Sequence, residues 1–104
     1  MVIRVWRGKA RPANADAYER FLSETAYPDY GEVSGNRGWM LLKRPLDDAV
    51  EFMFVSFWDS MEAVERYTGG HPAQPKYYPE DRAALEELPD RVDHFDLVDL
   101  QARW

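Results

Sequence analysis

Apolar residues recur along most of this chain at every second position or at every third and fourth, and one segment breaks both rules. From Phe52 to Trp58 every position except Ser56 is apolar. A strand without alternation must be covered on both faces, which places this segment in the middle of a sheet. Val2 to Arg7 reads as a second strand, with Ile3 and Val5 on one side and Val2, Arg4 and Trp6 on the other. Trp39 to Arg44 follows as a third, joined to the central segment by the turn residues Pro45 to Asp48. Val92 to Leu100 alternates as a last strand, and its three aspartates suit an edge.

Helical spacing appears between these strands. Tyr18, Phe21, Leu22 and Thr25 stand at i, i+3, i+4 and i+7, with Asn14 as the predicted cap and Pro28 as the predicted stop. Asp59, with Glu62 three residues on, opens a second helix that carries Met61, Val64 and Tyr67 on one side and ends at Gly69-Gly70. His71 to Pro79 is too rich in proline for either element, and Pro79 to Leu88 is predicted as a short third helix closed by Pro89. The glycines of the Pro28 to Gly38 loop match no phosphate-binding spacing and read as a turn.

The order is the ferredoxin-like βαββαβ pattern, an α+β fold with a four-stranded antiparallel sheet and helices on one face. Right-handed crossovers put the first and third strands in the middle. Helices cover only one face, yet Met53, Val55 and Phe57 alternate with Phe52, Phe54 and Trp58, so both sides of the central strand need burial. A homodimer packed sheet on sheet satisfies that need, with Leu100 to Trp104 lying across the partner.

Length and composition narrow the rest. A chain of 104 residues is one domain, 1–104, and 45% hydrophobic with 31% charged residues is the balance of a folded protein. A net charge of -6 argues against nucleic acid as a partner. The absence of cysteine excludes disulfides, thiol catalysis and thiolate-held metals. No apolar run is long enough to span a membrane, and the N-terminal VIRVW lacks the pattern of a secretion signal, so a cytoplasmic location is expected.

The strand order and the junction Phe57-Trp58-Asp59-Ser60-Met61-Glu62-Ala63 resemble the antibiotic biosynthesis monooxygenase domains of the dimeric α+β barrel superfamily. The resemblance implies a ligand pocket between sheet and helices, often lined by the Trp at this junction, here Trp58. It also implies an oxygenase that needs no cofactor and oxidises a phenolic, quinol or polyketide-type aromatic metabolite with dioxygen. A polyketide cyclase or isomerase, or a non-catalytic dimeric binding protein, are the other readings. The chain departs from the family where a His commonly follows the Trp, having Arg66 and Tyr67 there, and where haem-degrading members carry an Asn on the first strand, having Trp6. Both departures argue against haem as the substrate.

Such oxygenation requires a base, donors for a substrate anion and a dry apolar wall. Histidine is the residue type whose unperturbed pKa suits a base near neutrality, so His71 and His94 are the two candidate bases, and with Trp58 they form the candidate catalytic set. Trp6, Phe54, Tyr77 and Tyr78 are candidate wall residues for a small aromatic metabolite. Arg37 or Arg4 is the candidate anion stabiliser, although an arginine within a strand such as Arg4 also suits an ion pair. The two histidines are too far apart in sequence, with no acidic spacing, to suggest a metal site.

Overall fold

A computed structural model describes residues 1–103. Strands β1 (Val2–Ala10), β2 (Asn36–Pro45), β3 (Val50–Trp58) and β4 (Asp93–Asp96) form one antiparallel sheet in the order β2-β3-β1-β4. Helices α1 (Ala15–Tyr30), α2 (Met61–Thr68) and α3 (Pro79–Ala84) complete the ferredoxin-like fold. The strand with apolar residues on both faces is therefore internal, as its pattern requires.

Pairing of β1 with β3 sets Val2 against Trp58, Arg4 against Ser56 and Trp6 against Phe54. These residues share the face that the helices cover, where Phe52, Trp58 and Val64 are each 0% exposed. The opposite face carries Ile3, Val5, Met53, Val55 and Phe57, joined by Met40 and Leu42 from β2 and Phe95 from β4. Met40, Leu42 and Phe95 are 45%, 43% and 54% exposed on that face.

Several boundaries differ from the sequence reading, each for a local reason. Pro28 does not stop α1, because in the last turn its missing N–H costs a single helical bond and the helix runs on to Tyr30. Asn14 closes a 3-10 turn, Pro12–Asn14, that leads into α1. Ser60 caps α2 in place of Asp59: its Oγ accepts the Ala63 N–H at 3.3 Å, while Asp59 is drawn to Arg37. Leu85 turns extended and bridges to Ala10, which ends α3 before Leu88. The last strand is also shorter than Val92 to Leu100, since Val98 beyond it has nothing to pack on and is 96% exposed. Trp104, expected to lie on a partner, is outside the described residues.

Candidate functional site

A cavity of about 70 Å³ lies between the covered face of the sheet, α1 and the extended segment that precedes α3. Its floor is Trp6 and Phe54, with Arg4 beside them; Phe21, Asp29 and Tyr30 come from α1 and Tyr67 from α2. Pro75, Lys76, Tyr77 and Tyr78 close it from above. Seven aromatic rings line it. Tyr30 stacks on Tyr67 at 4.7 Å and on Phe54 at 5.2 Å, and Phe21 meets Tyr78 edge to face at 5.9 Å.

Gly8 lets the floor lie flat. A Cβ there would meet the Trp6 ring at 2.5 Å, so only glycine leaves room for the indole to fold back along its own strand. The indole N–H donates to the Tyr77 hydroxyl at 3.2 Å, and that hydroxyl donates to the Pro89 carbonyl at 2.5 Å. Burial raises the Tyr77 pKa, with the Trp6 bond opposing. The lid is thus fastened to the floor and to the chain beyond α3.

Arg4 is 4% exposed and holds the other end of the lid. Its Nη1 donates to the Pro72 carbonyl at 2.6 Å and its Nη2 to the Gln74 carbonyl at 3.1 Å. Nη1 also lies 3.1 Å from His94 Nε2, and because a guanidinium only donates, that nitrogen accepts and the imidazole proton sits on Nδ1. Burial lowers the His94 pKa, and the adjacent Arg4 charge lowers it further, so the ring is neutral at physiological pH. Burial also lowers the Arg4 pKa, though from a starting value so high that the group stays charged.

Two carboxylates reach the cavity. Asp29 accepts the Tyr78 hydroxyl. Asp81 is 4% exposed; its Oδ1 accepts the Tyr18 hydroxyl at 2.6 Å and its Oδ2 the Tyr78 N–H at 2.7 Å. Burial raises the Asp81 pKa, and the Tyr18 bond works against that rise. Burial likewise raises Tyr30 and Tyr67, which remain protonated donors.

The residues expected from the sequence separate into two groups. Trp6, Phe54, Tyr77 and Tyr78 line the cavity together, whereas Trp58, His71, His94 and Arg37 do not. Trp58 is fully buried beneath Tyr30 and Tyr67, and its N–H donates to Ser56 Oγ at 2.9 Å. His71 is exposed at the start of the lid. His94 stands behind Arg4. Arg37 is the extra residue of a β-bulge between Asn36 and Gly38, which turns it to the surface and into a pair with Asp59 at 2.6 and 3.2 Å. Sequence reasoning missed Asp29, Tyr30, Lys76 and Asp81. Of these only Asp81 had a signal, an acidic residue three places after a helix cap at Tyr78.

Among the described residues no group of three or more His, Asp or Glu is placed to hold a metal ion, and no helix is long and apolar enough to cross a membrane. Haem fits this cavity poorly: neither imidazole lines it, and its open volume is far below that of common ligand sites, roughly 300 Å³ and upwards.

Solved structures share the fold. The haem-degrading protein MhuD of Mycobacterium tuberculosis, with two haems bound in its active site, is 21% identical with a TM-score of 0.66, covering 98% of this chain and 100% of that one. A Nitrosomonas europaea protein described as a candidate antibiotic biosynthesis monooxygenase gives a TM-score of 0.71 at 11% identity, covering 95% and 100%. A similarly described Bacillus cereus protein gives 0.65 at 16% identity, covering 100% and 97%. No curated protein sequence matches the chain significantly. The family description that does match, antibiotic biosynthesis monooxygenase, spans residues 1–74, which supply the sheet from β1 to β3 together with α1 and α2, and the chain belongs to that family.

Proposed function

We propose that this protein is a monooxygenase that oxidises a compact phenol or quinol with dioxygen and without a resident cofactor. The observation that carries the reading is the aromatic cavity itself, placed between sheet and helices in a member of this family. An ionised phenol or enol is electron-rich enough to pass an electron to dioxygen. The resulting radicals combine at a ring carbon to form a hydroperoxide, and where that carbon bears hydrogen, loss of water leaves a carbonyl. The protein's share is a dry wall of rings and protonated tyrosine donors at the oxyanion.

Size limits the substrate. At about 70 Å³ the cavity is roughly half the ~150 Å³ that takes a benzene ring in an engineered protein, so even one ring requires the exposed Lys76 side chain to swing away. Fused tricyclic substrates require displacement of the whole lid. An isomerase working by proton transfer needs an unengaged base at the wall, and both lining carboxylates already accept tyrosine hydroxyls.

The working unit is a twofold homodimer closed through the outer sheet face. Its support is the row of Met40, Leu42 and Phe95, which leaves a broad apolar surface in water. The test of function is dioxygen uptake by metal-free protein over a panel of one- and two-ring phenols and quinols. Protein-dependent uptake that Trp6→Ala reduces at least about tenfold is expected; no uptake across the panel, with the fold intact by circular dichroism, refutes the oxygenase reading.

A further inference from the structure

Oxygenation of a phenol begins from the anion, and the cavity lacks an obvious group to make it. Neither histidine lines the wall, and Asp29 and Asp81 are occupied by hydroxyl donors. Beside those carboxylates the wall holds two cations. The Lys76 ammonium stands 5.4 Å from the centre of the Tyr67 ring and 5.6 Å from that of Tyr78, while the Arg4 guanidinium stands 5.8 Å from Tyr67. Two cations thus converge on one ring. Among the described residues neither forms an ion pair with a carboxylate.

For Arg4 this is unusual, because a buried charge is ordinarily paired. Its partners are two carbonyls, a neutral imidazole and an aromatic face. Those bonds engage three of the five guanidinium donors and leave two at a residue that lines the cavity. Asp29 and Asp81 line the same chamber, but each already accepts a tyrosine hydroxyl, so the donors left open toward a ligand are those of the two cations. Opposite charge within about 4–6 Å lowers the pKa of an acid by roughly 1–3 units, whereas burial among rings alone raises it. The two effects have opposite signs.

From this we infer that the cavity selects its ligand as a preformed aromatic oxyanion, the ionised phenol or enol, held between Arg4 and Lys76. The inference deepens the proposed function by naming the ionic form and class of its substrate: acidic phenols, enols and quinols that are already partly ionised in solution. Arg4 supplies the fixed charge. Lys76, exposed and on the lid, follows the ligand in, moving from the tyrosine faces to the oxyanion. His94 positions Arg4 by accepting a hydrogen bond from one of its N–H groups and adds no charge of its own.

The experiment uses 4-nitrophenol, whose ionised form absorbs at longer wavelength than its neutral form, with 4-nitroanisole as the isostere that cannot ionise. Absorbance titration of the purified protein across pH gives the ionisation of the bound probe directly. The expected result is a bound pKa about one unit or more below that of the free phenol, with the anisole binding at least about tenfold more weakly than the phenolate. Lys76→Met, a change at an exposed side chain, is expected to reverse part of the shift without changing the melting temperature. Arg4→Gln is expected to reverse more, and Lys76→Met keeps the test decisive if Arg4→Gln fails to fold. A bound pKa above that of the free phenol, equal affinity for the anisole, or no binding of either compound overturns the inference. Because the probe is read by binding alone, a lowered pKa without oxygen uptake from any phenol sustains this inference and removes the oxygenase.

Discussion

Replacing Tyr18 by Phe deletes one oxygen from the middle of the protein and tests how the lid is anchored. The hydroxyl donates to Asp81 Oδ1 at 2.6 Å between two residues that are 2% and 4% exposed, so no water is at hand to replace it. A hydrogen bond to a charged acceptor contributes about 1.5–3 kcal/mol, and the loss falls at the upper part of that range because Asp81 would keep only the Tyr78 N–H. In a domain of this size that corresponds to a drop of roughly 10 °C in Tm. The pH dependence adds a second signature. Burial holds the Asp81 pKa above its unfolded value, so its native carboxyl binds a proton more tightly than the unfolded one, and stability is lost as pH rises through the folded pKa. Removing Tyr18, whose bond opposes that rise, raises the folded pKa further. The difference between wild type and Tyr18→Phe is therefore expected to be large at about pH 8 and to shrink near pH 4, close to the ~3.9 of an unperturbed Asp. Urea unfolding at both values measures it. A difference below about 0.5 kcal/mol, or one equal at the two pH values, refutes the assignment of Asp81 as a buried, charged anchor.

Other outcomes follow from the same geometry. Trp58→Phe should lower stability by about 1–3 kcal/mol through lost packing and the lost Ser56 bond, yet leave the dissociation constant of a bound phenol within about twofold, as calorimetric titration would show. His94 has a depressed folded pKa, so the unfolded chain binds its proton more strongly; stability should fall as pH drops through about 6.5, and His94→Gln should flatten that slope in urea titrations. Met40→Asp places a charge on the outer sheet face, and sedimentation at micromolar concentration should show a dimeric parent and a monomeric variant; a monomeric parent refutes the sheet-on-sheet assembly. Gly8→Ala should displace the Trp6 ring, cutting phenol affinity at least about tenfold and shifting indole fluorescence.

The sheet was readable because it depends on local pattern. Apolar residues on both faces of β3 require neighbours on both sides, and the order of elements did the rest. The cavity walls Trp6, Phe54, Tyr77 and Tyr78 were readable as aromatic residues in the right strands and loop. What could not be read is set by tertiary approach. Arg4 in a strand looks like an ion-pair partner, and its actual partners, the carbonyls of Pro72 and Gln74, come from a loop whose path no local pattern specifies. Tyr30 was hidden behind Pro28, which as a helix stop leaves the tyrosine in a loop, whereas two more helical residues carry it onto Phe54 and Tyr67. Arg37 was misleading for a similar reason, since a single-residue bulge decides which side of the sheet it meets.

The chamber is also drawn from two stretches of the chain. Its floor and helical wall fall within residues 1–74, the part that matches the family, while Pro75 to Tyr78, Asp81 and Val92 all come after that boundary. The roof, residues 75 to 92, holds α3 and none of the four strands, so it closes the chamber without taking part in the pairing of β1 to β4. Floor and roof meet at two fastenings, Arg4 on the carbonyls of Pro72 and Gln74 and the Trp6 indole on the Tyr77 hydroxyl, so the shape of the chamber is set by two side chains of one strand.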